Sequence, residues 1–505
     1  MRHEGQGSIF MIKTNEVPVH PEVLFGVFNR QRRAFRQCAP LGYAKRIEAL
    51  VTLLHSVLSC EDLLVEALKA DFGHRSAHET RLLEIIPLVD EIRYVKRNLR
   101  RWMQTRTVPV NWQFLPSRAK IIYQPLGVVG VIGAWNYPVL LTLSPLVNAL
   151  AAGNHVMVKP SELAPSTAKV IQQMISGVFP KEYITVVTGG REIAENFSNL
   201  PFDHLIYTGS DRVGRRVMRA AAENLTPVTL ELGGKSPALV HQSYSTAIAA
   251  DRICSAKFWN AGQTCVAPDY VLVSSDKVNE FVRHSETIIK KRYPRPSSNE
   301  DYTHMISQAA RCRMQNLVDD ARRKGAQIIQ SDSTDATFRA ENRVFPPTVI
   351  IGADDSMRVM QEEIFGPILP VVPYPSFNDA LDFINARPRP LALYYFDRNA
   401  ARIEKVLEQT VSGGVTINDC IFHLPQHALP FGGVGQSGMG AYHGFDGFAT
   451  FSKKKGVLLQ NALVGSLLAR ALKPPYGSLS DRLIAFLLRR SRARSIRRFA
   501  LAKEE

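Results

Sequence analysis

The sequence predicts an α/β fold built on parallel sheets, with two strand–helix units laid end to end. Three observations carry this expectation. Between residues 121 and 231 short apolar runs alternate with helical stretches, which suits a parallel sheet covered on both faces. The run 121–158 contains no Asp, Glu, Lys or Arg, as a doubly covered core requires. After 231 the alternation starts again, and 505 residues exceed one ordinary core, so two or three domains are expected.

Residues 41–70 have helical spacing, with Ile47, Leu50, Leu54, Leu58 and Leu64 among charges, and a second helix is expected over 79–104. Hydropathy alone suggests a membrane span within 121–158. Asn136, Pro138, Pro145, Asn148 and Asn154, with glycines at 127, 130, 133 and 153, interrupt it too often. It reads as a strand (127–132), a glycine-rich turn, a buried helix (139–152) and another strand (155–158). Further strands are expected at 183–187, 204–207 and 227–231, with helices at 165–178, 191–198 and 211–223. The second unit begins with a helix near 245–260, a strand at 270–274, and helices at 276–291 and 307–324. Gly325 follows in a C-cap position. A junction near 231 places Glu231 and Cys265 at a domain boundary, where clefts form.

A chain 45% apolar and 21% charged is ordinary for a soluble globular protein. Its six cysteines (Cys38, Cys60, Cys254, Cys265, Cys312, Cys420) include no C-x-x-C pair. That argues against a disulfide framework or a thiolate zinc site, so no metal is expected, and it fits a reducing compartment. The opening MRHEGQGSIF lacks the apolar core of a secretory signal, and a cytoplasmic location follows as the expectation. Of the net charge of +16, residues 470–505 supply +7, from ten Lys or Arg against three acids. The remaining excess is diffuse and forms no nucleic-acid module, so no nucleic-acid partner is expected.

Cys265 lies in FWNAGQTCVAP, after an expected helix, and Glu231 lies 34 residues upstream in LELGGKSP. A cysteine nucleophile plus a carboxylate able to activate water is the minimum kit for making and hydrolysing an acyl-enzyme. Alone, such a cysteine equally fits a buried hydrophobe, and such a glutamate a salt bridge. The glycines around both favour close approach by a ligand. Lys159 and Glu162 sit just past a parallel strand, where ligands bind in open α/β sheets. Gly209, Ser210 and Gly214 form a G-x-x-x-x-G turn opening a helix, neither a G-x-G-x-x-G fingerprint nor a P-loop; it fits a phosphate site or an ordinary connection. Asn136 either caps the next helix or aims its amide at an oxyanion. The segments EEIFGP (362–367) and PFGGVGQSG (430–438) read only as turns.

Taken together these segments resemble the aldehyde dehydrogenase superfamily over roughly residues 40–455. The motifs stand in family order: AWNYP at 134–138, KPSE at 159–162, GSDRVG at 209–214, LELGGKSP at 230–237, NAGQTC at 260–265, EEIFGP at 362–367 and PFGGVGQSGMG at 430–440. Asp71-Phe72-Gly73, CVAPDY at 265–270 and Tyr442-His443-Gly444 look like the class-3 branch, and residues 203–240 look most like bacterial coniferyl aldehyde dehydrogenases. The resemblance implies a Rossmann-type cofactor domain, a second α/β catalytic domain and a small oligomerisation element. The expected division is 1–230 (with 105–125 as an oligomerisation hairpin), 231–420 with the nucleophile, 421–455 as a return segment and oligomerisation strand, and 456–505 as a basic tail.

The same resemblance implies Cys265 as nucleophile and Glu231 as base for the deacylating water. Asn136 and the Cys265 backbone N–H would form the oxyanion hole. Lys159 and Glu162 would hold the adenosine ribose, Gly209, Ser210 and Gly214 would border the phosphates, and Glu363 and Phe365 would place the nicotinamide ribose. The implied activity is oxidation of an aldehyde, aromatic or coniferyl-type, with NAD (NADP second) in a homodimer. A fatty aldehyde dehydrogenase is the alternative. A CoA-acylating enzyme is disfavoured because Glu231 is present, and a non-catalytic relative because all three catalytic residues are. Apolar runs of the tail are too short and interrupted for a span; weak peripheral membrane or partner contact is one expectation for it, and a solvated or subunit-packed tail is the other.

Overall fold

The computed structural model describes residues 21–330, 343–461 and 473–501. Its first unit, residues 21–102 with 125–452, carries two sheets. One has six strands, in the order Gly438–Met439, Val228–Glu231, His204–Thr208, Val128–Ile132, His155–Lys159, Ile184–Val186. All neighbours are parallel except the first pair. Every residue of 128–132, 155–159 and 204–208 is buried, as expected for strands covered on both faces. The chain steps outward in opposite directions from Val128–Ile132, so the strand order reverses between it and His204–Thr208. That reversal opens a crevice at the carboxyl ends of the strands.

The other sheet has seven strands, in the order Gln327–Gln330, Thr348–Ile351, Ile368–Tyr374, Tyr270–Ser274, Pro237–Val240, Ala392–Phe396, Gly414–Ile417. Only its first pair is antiparallel. Residues 232–236 carry the chain from one sheet to the other, which puts Glu231 at the crossing.

The uncharged run forms the strand Val128–Ile132, the helix Leu140–Ala152 and the strand His155–Lys159. All thirteen residues of the helix are buried, against the helices Tyr43–Ser59, Ile86–Trp102 and Gly444–Thr450. No polar face is needed, and none is written. The left-handed Gly153 ends it at φ +90°, close against the Arg46 guanidinium.

Several expectations need correction. The single helix 41–70 is two, Tyr43–Ser59 and Glu61–Phe72, broken at Cys60. The helix 79–104 begins earlier, as Ala77–Thr80, widens into a π-type turn at Arg81–Ile85 and continues as Ile86–Trp102. The segment 430–438 is more than a turn, because it delivers Gly438–Met439 as an edge strand opposite Glu231 and Leu230.

The second unit, residues 103–124 with 453–501, holds a three-stranded sheet in the order Arg106–Val108, Arg118–Pro125, Ser452–Leu459. The first two strands pair antiparallel, as a hairpin over 105–125 requires. The tail forms the helix Ser478–Leu501, whose Phe486 ring meets Trp112 edge-on at 6.1 Å. Among the described residues no helix is long and apolar enough to cross a membrane.

Candidate active site

The loop that presents Cys265 is built from strained backbone. After the helix Thr246–Phe258, residues Asn260, Ala261 and Gly262 take φ of +54°, +51° and +72°. Two successive left-handed residues with side chains are costly and persist only when their surroundings hold them. Buried side chains do so here. The Asn260 N–H donates to Glu79 Oε2 at 3.0 Å, and Gln263 Nε2 donates to the carbonyls of Asn260 (2.9 Å) and His304 (3.0 Å). At Gly262 a Cβ would fall 2.3 Å from the Gly366 carbonyl oxygen, so only glycine fits.

The loop leaves Cys265 partly exposed in a pocket walled by Leu140, Trp259, Phe422, Phe431 and Tyr442. Burial, then the carboxyls of Glu363 and Glu231, pushes its thiol up to about 12. Glu231 ends the strand Val228–Glu231 and is 2% exposed. Among the described residues neither carboxyl oxygen has a hydrogen-bond partner, and burial raises its pKa well above the carboxylate range. An unpaired buried carboxylate is expensive as an anion, so burial favours the protonated form. Backbone contacts fix its place. Gly209 N–H donates to the Glu231 carbonyl at 3.0 Å, Leu232 N–H donates to Ser437 O at 3.1 Å, and a Cβ on Gly438 would strike Leu230 O at 2.1 Å.

Asn136 is buried and does not cap the helix that follows. Val139 and Leu140 N–H donate instead to Glu84 Oε2, at 2.8 and 3.1 Å. The Asn136 amide Nδ2 donates to Gln263 O at 3.1 Å, and the Asn136 backbone carbonyl accepts from Arg75 Nη1 (3.0 Å) and Asn260 Nδ2 (2.9 Å). Asn136 is thereby tied to the cysteine loop.

The strand ends at the crevice carry the other expected residues. Lys159 Nζ is buried and donates to Glu162 Oε2 (3.0 Å) and Pro160 O (2.8 Å), while burial lowers its pKa against the opposing pull of Glu162. Glu162 keeps 41% of its side chain exposed and faces solvent beside that lysine. Gly209, Ser210 and Gly214 open the helix Asp211–Ala222, with Gly214 N–H donating to Ser210 O at 2.9 Å. A Cβ on Gly209 would lie 2.2 Å from the Tyr207 hydroxyl, so the backbone there is bare beside a helix N-terminus, where an anion is favoured. Glu363 reaches across to Gly233, where a Cβ would sit 2.0 Å from its Oε2. Burial and Asp269 push it up to about 8. Phe365, at φ +49°, sets its ring 5.3 Å from Trp135. This donor set and glycine cradle fit a dinucleotide lying across the crevice.

The sequence reading passed over the residues that hold these loops. Lys235 binds Asp269 and donates to the carbonyls of Val359 (2.8 Å) and Glu362 (3.1 Å). Asp269 Oδ1 accepts from Ile364 N–H at 2.9 Å, and Arg313 binds the carbonyls of Glu363 and Ile364. Lys235 and Asp269 lie within quoted motifs, which was the available signal; Arg313 stands in an ordinary amphipathic helix and gave none.

The Cys265 loop, the buried Glu231 carboxyl and the strand-end glycines thus lie on the two α/β sheets of one unit, and comparison with known proteins gives the family. Residues 27–457 match the aldehyde dehydrogenase family, and the chain belongs to it. It is accordingly an NAD(P)-dependent oxidoreductase acting on aldehydes. It is 47% identical to a probable coniferyl aldehyde dehydrogenase of Pseudomonas aeruginosa, over 91% of this chain and 95% of that one. It is 40% identical to aldehyde dehydrogenase family 3 member A2 of Mus musculus, over 88% and 90%. Among solved structures, Staphylococcus aureus AldH in a substrate-bound state superposes with a TM-score of 0.85 at 36% identity, covering 92% of this chain and 99% of that one.

Proposed function

We propose that the chain oxidises an aromatic, coniferyl-type aldehyde to its acid, with Cys265 as nucleophile and Glu231 as base. The observation that carries the chemistry is the buried Glu231 carboxyl without a protein partner, near enough to raise the Cys265 pKa. The ring-lined pocket and the name of the P. aeruginosa relative support the substrate class. The Cys265 thiol gives up its proton to solvent as its sulfur attacks the aldehyde carbon, and the Asn136 amide and the Cys265 N–H stabilise the oxyanion. The bound nicotinamide supplies a hydride acceptor. Glu231, once it has released its own proton to solvent, takes a proton from water, and the resulting hydroxide displaces the cysteine thiolate and leaves a carboxylic acid. A raised pKa makes Glu231 a stronger base for that step. Lys159 and Glu162 would hold the adenosine ribose, Gly209, Ser210 and Gly214 the phosphates, and Glu363 and Phe365 the nicotinamide ribose. The six-stranded sheet serves as the cofactor domain and the seven-stranded sheet as the catalytic domain. The assay is NADH formation across cinnamyl, benzyl and alkyl aldehydes, with and without CoA. Higher kcat/KM for alkyl aldehydes removes the aromatic assignment, and dependence on CoA removes Glu231 as water base.

Cofactor choice follows from Glu162. A carboxylate beside the ribose 2′-hydroxyl repels a 2′-phosphate. NAD is expected to be preferred over NADP, and Glu162→Gln should narrow the kcat/KM ratio by about tenfold, corresponding to ~1.4 kcal/mol. An unchanged ratio removes Glu162 as the discriminator.

The three-stranded sheet of the second unit is proposed as a homodimer contact, in a cytoplasmic enzyme whose tail touches membranes peripherally. Within Ser478–Leu501, Ile484, Phe486 and Leu488 are exposed ahead of Arg489. Such a helix can lie in an anionic headgroup layer, at about 1 kcal/mol per basic residue. Truncation after Lys473 should abolish sedimentation with phosphatidylserine vesicles and leave turnover on a soluble aldehyde intact; retained sedimentation counts against the tail.

A further inference from the structure

The Asn136 backbone carbonyl is met by a buried ion pair that the chemistry above does not use. Arg75 Nη1 donates to that oxygen, and Nη2 stands 3.0 Å from Glu84 Oε1, with neither side chain exposed. The guanidinium lies over the rings of Phe72 and Tyr137, at 4.8 and 5.1 Å from their centroids. Glu84 spends its other oxygen on the first turn of the helix Leu140–Ala152. A fully desolvated ion pair is a poor stabiliser, since packed apolar residues of the same volume do as well or better. A planar fork does something apolar residues cannot. It fixes the direction of one carbonyl relative to a helix end.

We infer that Arg75 is a positioning residue for the oxyanion hole: braced on Glu84, it sets the direction in which the Asn136 side-chain amide points. Asn260 Nδ2 occupies the carbonyl's remaining lone pair at 2.9 Å, so the residue is held from two sides. The inference rests on reading Asn136 as an oxyanion donor. Misplacing such a donor by about 1 Å costs up to ~100-fold in rate.

The test uses the full-length chain and five variants: Asn136→Ala, Arg75→Ala, Arg75→Lys, Arg75→Ala with Asn136→Ala, and Arg75→Ala with Glu84→Gln. The last removes the orphaned buried charge that Arg75→Ala alone would leave, so it keeps the test valid if the single variant misfolds. Aldehyde oxidation and hydrolysis of a p-nitrophenyl ester are measured, since both pass through an oxyanion, with NAD affinity by fluorescence. The Arg75→Ala, Glu84→Gln protein should lose about 10- to 100-fold in kcat for both reactions, with the NAD Kd unchanged within about twofold. Arg75→Lys should fall between it and the parent. Adding Arg75→Ala to Asn136→Ala should cost nothing more, because the path runs through Asn136. Guanidinium ion is then added to the Arg75→Ala protein as a replacement for the missing fork. It should restore part of the Arg75→Ala rate, whereas ethylammonium should not. Full kcat in the Arg75→Ala, Glu84→Gln protein, or an additive loss in the Asn136 background, overturns the inference. Full activity in Asn136→Ala instead overturns the reading of Asn136, and the two failures are told apart by that variant alone.

Discussion

Glu231→Gln is expected to yield a burst of NADH close to one per active site, followed by turnover at least about 100-fold below the parent rate, the range general-base catalysis contributes. The carboxamide has nearly the same volume and cannot take a proton from water, so the acyl-enzyme forms and then waits. The pH profile sharpens this. Because burial raises the Glu231 pKa, its basic form is lost as pH falls through that raised value. Decay of a preformed acyl-enzyme should therefore quicken as pH rises well past the ordinary carboxylate range, and the Gln variant should be flat. Steady-state turnover at the parent rate would show that another group activates the water.

Cys265→Ser is expected to remove NADH formation altogether, including the burst. A thiol held up to about 12 is already a reluctant nucleophile at neutral pH, and a serine hydroxyl ionises far less readily. The variant should fold and bind NAD as the parent does, since the side chain only fills part of a pocket wall. A residual burst would mean that hydride transfer does not require a covalent adduct at residue 265.

The parts of this site legible in the sequence were those written locally. Gly209, Gly233, Gly262 and Gly438 announce bare backbone, and each meets a neighbour that a Cβ would strike. The strand–helix alternation over 121–231 likewise follows from runs buried on both faces. Long-range partners left no such trace. Nothing around Arg75 says that its guanidinium will meet a carbonyl 61 residues away, and Glu84 looks like any helix-face acid until the start of Leu140–Ala152 is found against it. The local reading of Asn136 as a cap failed for the same reason, because the cap came from a distant carboxylate. Beyond Gly325 the strands share no one pattern, from the wholly buried Ala392–Phe396 to the half-buried Gly414–Ile417, so their order in the second sheet emerges only from pairing.

Asp269 has a wider consequence. It binds the lysine four residues after Glu231, follows Cys265 by four residues, and accepts from the amide next to Glu363. The segments proposed to carry the base, the nucleophile and the cofactor contact thus share one anchor, which makes them a single inheritable block. A chimera that imports 362–367 from another family member without 231–237 and 265–269 would carry a mismatched hub. Modular swapping should succeed only when all three travel together, and the ring-lined wall around residues 421–431, which Asp269 does not bond, is the part free to diverge.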